Sequence, residues 1–141
     1  MNILFLCTGN SCRSQMAEGF LRHLAGDRVG VDSAGIEAHG QNPRAVAVMD
    51  EVGVDIYQQQ STRLSDKHLE WADLVVTVCG DADESCPMLP PGTEKRHWGL
   101  PDPAKAQGPE EKIMQQFRAV RDDIRARVES LIRDEVDGGQ A

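Results

Sequence analysis

A cysteine and an arginine separated by five residues form the first pattern in this sequence that suggests chemistry. Cys7 ends an apolar run, and Arg13 comes just before Ser14, where the spacing of apolar residues becomes helical. A loop between a strand and a helix can point its backbone N–H groups inward and hold a tetrahedral oxyanion, while the arginine fork binds two of its oxygens. The predicted anion loop, residues 7–14, consists of Cys7, Thr8, Gly9, Asn10, Ser11, Cys12, Arg13 and Ser14.

Cys7 is the predicted nucleophile of the anion loop. The N-terminus of the following helix favours a charged thiolate, and Ser14 can donate a hydrogen bond to it. Gly9 is expected to relieve tight curvature, while Asn10 tolerates left-handed backbone geometry and can brace the loop. The alternative is a buried cysteine that ends a strand, with Arg13 on a solvated helix face. The Gly-Asn pair between a buried strand and a helix favours the anion loop.

Two further cysteines are candidate electron donors to a bound oxyanion. Cys79 ends another apolar run, and six small or acidic residues, 80–85, separate it from Cys86. This segment is predicted to be a mobile surface loop that can carry a thiol inward. Two unrelated buried thiols are the alternative.

Zinc binding is a second alternative for the cysteines. Zinc ligands usually come in short paired spacings, which neither Cys7 with Cys12 nor Cys79 with Cys86 provides. Cys12 lies inside the anion loop, where its backbone N–H can face the anion whatever its side chain does. The Cys12 side chain is therefore predicted to be structural.

An aspartate between two prolines is the candidate general acid. Asp102 lies in a predicted loop, residues 99–107, which the flanking prolines stiffen. The residues alone leave an ordinary turn aspartate equally open. The histidines show no ligand spacing and are predicted to lack a chemical role; they are His23, His39, His68 and His97.

Alternating strands and helices must position these residues. The alternation predicts a single α/β domain, with a central four-stranded parallel sheet flanked by helices. Ligands bind at the carboxyl ends of parallel strands, so Cys7 and Cys79 are expected to lie at the same edge. The predicted strands cover residues 2–7, 29–33, 74–79 and 95–98, and the predicted helices begin near Ser14, Asn42, Ser65 and Pro109.

Charge and composition restrict the classes of partner. The chain has 141 residues and a formal net charge of −8. Nucleic acid and anionic membranes attract basic surfaces, so neither is expected as a partner. The first apolar run is too short for a signal peptide, and a cytoplasmic monomer is predicted. One domain is predicted over residues 1–136, followed by a disordered tail over residues 137–141.

The anion loop resembles the phosphate-binding loop of low-molecular-weight protein tyrosine phosphatases. The wider stretch 7–18, together with Asp-Ser-Ala-Gly-Ile at 32–36, resembles the thioredoxin-coupled arsenate reductases built on that fold. The resemblance extends over nearly the whole chain. It implies a low-molecular-weight phosphotyrosine phosphatase-like fold, arsenate as substrate and Asp102 as the general acid.

The same resemblance implies a three-cysteine relay that reduces arsenate to arsenite. Cys7 would be the nucleophile, followed by Cys79 and then Cys86, and the relay would end in a Cys79–Cys86 disulfide. Thioredoxin, rather than glutaredoxin, is the implied external reductant, and no cofactor is predicted. Some family members bind potassium through positions that match Asn10, Glu18 and Ser33. A further acidic ligand is replaced around residues 61–63, so no metal is predicted.

Two other functions remain open at this point. A low-molecular-weight protein tyrosine phosphatase with regulatory cysteines is the main alternative. The phosphatases have aromatic residues after the Asp-Pro pair, whereas this chain has Ala104, which favours the reductase. A non-enzymatic oxyanion-binding protein is the third hypothesis.

Overall fold

Four parallel strands form the centre of the computed structural model, which describes residues 1–137. Their order across the sheet is β2-β1-β3-β4, so the first strand of the chain lies inside the sheet. The predicted α/β fold with a four-stranded parallel sheet is confirmed. The strands are β1 (Asn2–Cys7), β2 (Gly30–Gly35), β3 (Leu74–Thr77) and β4 (Glu94–His97).

The strand β1 is the most deeply buried element of the sheet. Its residues from Ile3 to Leu6 are fully buried, as expected for a strand that is paired on both sides and covered on both faces. The prediction for residues 2–7 is confirmed. The strand β3 ends at Thr77, two residues earlier than predicted, which places Cys79 at the start of the next helix.

Five α-helices accompany the sheet in the described part of the chain, and their starts follow local sequence signals. Asn42 accepts a hydrogen bond from the backbone N–H of Arg44 at 2.9 Å, and Pro43 occupies the first helical position, as predicted. Gly26, with φ 58°, ends the first helix. The helices are α1 (Arg13–Ala25), α2 (Pro43–Asp50), α3 (Asp66–Trp71), α4 (Gly80–Ser85) and α5 (Glu110–Leu131).

The segment between Cys79 and Cys86 differs from its predicted form. It is the helix α4 and not a loop. The Cys79 sulfur accepts a hydrogen bond from the backbone N–H of Ala82 at 3.4 Å, as an N-cap side chain does, and Ala82 is fully buried. Ala82 is packed against the core although its neighbours are acidic, and the local sequence does not indicate this tertiary contact.

The C-terminal end continues beyond α5. A π-helical turn, Ile132–Asp137, buries Ile132 and Val136 against the core. The predicted tail, residues 137–141, lies outside the described residues from residue 138 onward. No helix among residues 1–137 is long and apolar enough to cross a lipid bilayer.

Candidate active site

The carboxyl ends of two neighbouring strands bring Cys7 and Cys79 to the same edge of the sheet. Cys7 is the last residue of β1, and Cys79 follows β3 by two residues. The segments that end these two strands stay paired at this edge, because the backbone N–H of Val78 donates to the Leu6 carbonyl at 2.9 Å. Both cysteines line a cleft of about 490 Å³, together with Thr8, Gly9, Ser11, Cys12, Arg13, His39, Gly80, Asp102, Ala104 and Lys105.

The sulfur of Cys7 is surrounded by hydrogen-bonding groups. The backbone N–H of Asn10 donates to it at 3.1 Å, and the Ser14 hydroxyl lies 2.8 Å away. The loop then enters α1, which begins at Arg13, so the helix N-terminus adds a favourable field for an anion. This environment suits a thiolate and an oxyanion bound next to it.

Asn10 supports the anion loop from behind. It has φ 48°, a left-handed conformation that asparagine tolerates. Its amide nitrogen donates to the hydroxyls of Ser14 at 2.8 Å and Ser33 at 2.9 Å. Its amide oxygen accepts the backbone N–H of Thr62 at 2.7 Å. One fully buried side chain therefore braces the loop internally at Ser14 and fixes it to two other segments of the chain, at Ser33 and Thr62.

Gly9 serves the site for a different reason than the one predicted. Its φ is not among the positive values of the chain, so tight curvature does not require a glycine there. A Cβ atom at Gly9 would instead lie 2.3 Å from Nδ1 of His39. A side chain at this position would therefore require the exposed imidazole ring of His39 to move.

Arg13 connects the anion loop to the loop that contains Asp102. One guanidinium nitrogen donates to the carbonyl of Leu100 at 3.0 Å, and another lies 3.6 Å from Oδ2 of Asp102. Asp102 also accepts the backbone N–H of Ala104 at 3.0 Å, which orients its carboxyl group. The cation and the candidate acid therefore lie side by side in the lining of the cleft.

Cys79 is attached directly to the anion loop. Its sulfur lies 3.1 Å from the hydroxyl of Thr8, the residue that follows Cys7. Cys79 is buried, whereas Cys86, after the far end of α4, is partly exposed. Burial raises the pKa of the Cys86 thiol, and the nearby Lys95 ammonium opposes that shift.

Cys12 has the environment of a structural thiol. It is buried within the loop, and burial raises its pKa far above the ordinary thiol range, with the negative charge of Asp102 adding to the shift. A thiol that stays neutral is a poor nucleophile, because the thiolate is the reactive form.

The residues that match potassium ligands in the family are joined to one another. The Ser33 hydroxyl donates to Glu18 at 2.5 Å and accepts from Asn10 at 2.9 Å. Glu18 also forms an ion pair with Arg22 at 2.7 Å. Among the side chains that the structure describes, no group of three or more His, Cys, Asp or Glu residues is placed to hold a metal ion.

His39 also lines the cleft, a place that no pattern in the sequence predicted. Its imidazole packs over Gly9, and its Nε2 atom lies 2.6 Å from a carboxylate oxygen of Glu37. The available signal was position: His39 follows β2, and the carboxyl end of β2 lies beside that of β1. The spacing of residues along the sequence does not identify His39, because it reaches the site only through the pairing of β2 with β1.

Known proteins match nearly the whole chain. The family model for low molecular weight phosphotyrosine protein phosphatase matches residues 2–138. A protein of Bacillus subtilis (strain 168) named arsenate reductase is 57% identical over 129 residues, which cover 92% of this chain and 93% of that protein.

Solved structures agree with the sequence comparisons. An arsenate reductase in the phosphate binding state superposes with a TM-score of 0.78 at 36% identity, covering 94% of this chain and 97% of that one. A thioredoxin-dependent arsenate reductase of Corynebacterium glutamicum superposes with a TM-score of 0.66 at 30% identity. That match covers 91% of this chain and 61% of the other.

Proposed function

Because this chain belongs to the low molecular weight phosphotyrosine protein phosphatase family, and within it to the arsenate reductases, we propose that it reduces arsenate to arsenite with three cysteines. Cys7 is the nucleophile, Cys79 attacks second, and Cys86 attacks third. The anion loop, residues 7–14, holds arsenate through its backbone N–H groups and Arg13. Asp102 is the general acid.

The first step forms a bond between sulfur and arsenic. The Cys7 thiolate attacks the arsenic atom of hydrogen arsenate, and a hydroxyl group leaves as water after taking one proton from Asp102. Arsenic remains in the +5 state in this covalent adduct. The 3.1 Å hydrogen bond from Asn10 and the 2.8 Å contact with Ser14 support the thiolate that this step requires.

The second step reduces arsenic. The Cys79 thiolate attacks the Cys7 sulfur, the sulfur–arsenic bond breaks, and its electron pair stays on arsenic. Arsenic leaves in the +3 state as arsenite, which takes protons from solvent, and a Cys7–Cys79 disulfide remains. The observation that carries this proposal is the 3.1 Å contact between Cys79 and Thr8, which ties the second thiol to the loop of the first.

The third step requires α4 to unwind. The Cys86 thiolate attacks the Cys79 sulfur, releases the Cys7 thiolate and leaves a Cys79–Cys86 disulfide. Seven helical steps separate these residues along α4, or about 10 Å. A disulfide needs Cα atoms about 4.4–6.8 Å apart, so the helix cannot persist in the oxidised protein.

An external dithiol must then reduce the Cys79–Cys86 disulfide. We assign this role to thioredoxin, because a relative of this chain is named a thioredoxin-dependent arsenate reductase. Thiols that start each cycle reduced require a reducing compartment, so the proposal includes a cytoplasmic location. We also propose that the protein is a monomer and that its catalytic domain covers residues 1–136.

A coupled assay tests this function. Arsenate-dependent NADPH oxidation is measured with thioredoxin and thioredoxin reductase, for the wild type and for Cys86→Ser. The wild type is expected to turn over continuously, whereas the variant stops after one turnover per molecule. Continued cycling of the variant at the wild-type rate with thioredoxin would exclude the relay.

The family description favours a second candidate, hydrolysis of phosphate monoesters. Phosphate and arsenate share shape and charge, so the anion loop suits both. A hydrolase needs neither Cys79 nor Cys86 as an electron donor. Full activity on an aryl phosphate by the Cys79→Ser, Cys86→Ser double variant, without arsenate reduction by the wild type, would identify this function.

A further inference from the structure

One ion pair fastens α4 to the edge strand of the sheet. Oδ1 of Asp83, in the middle of α4, lies 2.8 Å from the Lys95 ammonium on β4. The same ammonium donates to the backbone carbonyl of Asp83 at 3.1 Å. The Thr77 hydroxyl of β3 also donates to Asp83 Oδ1, at 3.1 Å. Side chain and main chain of one residue of α4 are thus bound to two strands.

These contacts depend on the helical form of α4. The Asp83 carbonyl and carboxylate face Lys95 together only while the backbone between Cys79 and Cys86 is helical. Since those cysteines must approach each other by several ångströms to form a disulfide, unwinding moves Asp83 relative to β4. The contacts therefore belong to the dithiol form.

We propose that Asp83 and Lys95 form a latch that holds α4 helical in the dithiol form and thereby sets the redox balance of the Cys79–Cys86 pair. Asp83 and Lys95 are positioning residues, since their hydrogen bonds join them to each other and to Thr77 rather than to the reacting sulfurs. The proposal rests on the relay proposed above and deepens it. It names the contacts that the third step must break.

The charges around the latch favour the dithiol form, in which α4 is helical. The Lys95 hydrogen bond holds the pKa of Asp83 below its usual range, so the carboxylate is charged at neutral pH. His97, the other basic residue at this point, lies 4.0 Å from Asp83 and hydrogen-bonds to Thr77 at 2.8 Å. When α4 unwinds, Lys95 loses its carboxylate partner.

The latch has a definite effect on the redox equilibrium. Contacts present only in the dithiol form stabilise that form and make the disulfide easier to reduce, as in oxidoreductases whose reduced state is stabilised. Asp83→Asn keeps the side-chain shape but removes the charge. It should shift the thiol–disulfide exchange constant with thioredoxin toward the protein disulfide by about threefold to fivefold, as expected for a partly exposed pair. That shift corresponds to a potential about 15 to 20 mV more negative.

The experiment first maps disulfides in the oxidised wild type by mass spectrometry of proteolytic peptides. Exchange constants with thioredoxin are then measured for the wild type, Asp83→Asn, Lys95→Gln, their double variant, and Glu84→Gln. The last is a matched control, because Glu84 is the next residue of α4, carries the same charge, is exposed and forms no ion pair among the described residues. Thermal unfolding of each variant is followed in both redox forms.

The latch predicts a shift in the same direction for Asp83→Asn and Lys95→Gln, a shift smaller than the sum of the two for the double variant, and almost none for Glu84→Gln. It also predicts that Asp83→Asn lowers the unfolding temperature of the dithiol form but not of the disulfide form. An equal shift with Glu84→Gln, an unchanged exchange constant, or equal destabilisation of both forms would overturn the latch while leaving the relay intact. Absence of a Cys79–Cys86 disulfide in the wild type would overturn both.

Discussion

The hydroxyl of Thr8 lies 3.1 Å from the sulfur of Cys79, which joins the anion loop to the thiol that follows the neighbouring strand. This contact crosses from the carboxyl end of β1 to that of β3. It stabilises a Cys79 thiolate when the hydroxyl donates, and it keeps the sulfur close to the residue beside Cys7. The second step of the proposed relay depends on both effects.

Thr8→Val should slow arsenic reduction more than it weakens arsenate binding. Valine keeps the branched shape but lacks the hydroxyl, so Cys79 loses a hydrogen-bond partner worth about 1 kcal/mol or slightly more. We expect kcat to fall about tenfold with KM nearly unchanged in the thioredoxin-coupled assay. Thr8→Ser keeps the hydroxyl and should recover most of the rate. Equal kinetics for the valine and wild-type proteins would contradict a role for this hydrogen bond.

Arg13→Lys should impair both binding of the anion and placement of the acid. Lysine keeps the charge but cannot contact two oxygens and the Leu100 carbonyl with one planar group. We expect kcat/KM for arsenate to fall by about 10²-fold in steady-state kinetics. Arg44→Lys is the control, since Arg44 forms an exposed ion pair with Glu110 away from the cleft. If both changes lowered kcat/KM by a similar small factor, the proposed role of Arg13 in binding the anion would be contradicted.

Asn10→Ala should lower the free energy of unfolding by roughly 2–4 kcal/mol. The change removes the side-chain hydrogen bonds of Asn10 to Ser14, Gln15, Ser33 and Thr62, and leaves a left-handed residue with a Cβ. Asn10→Gly loses the same hydrogen bonds but relieves the backbone strain, so it should be the more stable of the two. Urea denaturation measures both values. A loss below about 0.5 kcal/mol for alanine would show that Asn10 does not brace the loop.

The stability of the protein should depend on the protonation of Glu18. Burial raises the pKa of this carboxyl, against the opposing hydrogen bonds from Ser33 and Arg22. Because the pKa of Glu18 is raised in the folded state, the stabilising contribution of its protonated carboxyl to the free energy of unfolding is fully present below the ordinary carboxyl pKa. It is lost as the pH rises through the raised value. The unfolding free energy of the wild type minus that of Glu18→Gln should therefore decrease as the pH rises from 4 to 7. A difference that stays constant or grows would contradict the direction of this shift.

Local sequence patterns predicted much of the fold, because interactions between residues close in the sequence determine those elements. The continuous apolar run at 2–7 can only be buried on both faces, and Asn42 with Pro43 satisfies the first turn of α2 without help from other segments. The left-handed conformation of Asn10 likewise follows from local residue preference. In each case the same residues that form the signal also form the structure.

The form of residues 80–85 could not be predicted in this way. Small and acidic residues between two cysteines suit a loop, and α4 forms because Ala82 is buried and Asp83 pairs with Lys95 on β4. Twelve positions separate the members of that pair, so no local window contains the reason for the helix. The place of His39 above Gly9 depends in the same way on the sheet order, which puts β2 beside β1.

A single turnover of Cys86→Ser with arsenate, without external reductant, tests the relay most directly. The protein is mixed with excess arsenate, quenched with acid, and analysed for arsenite released and for disulfide-linked peptides. We predict one arsenite per protein molecule and a trapped disulfide between Cys7 and Cys79. Arsenite release without that disulfide, or a Cys79→Ser variant that releases the same amount, would contradict transfer of oxidation from Cys7 to Cys79.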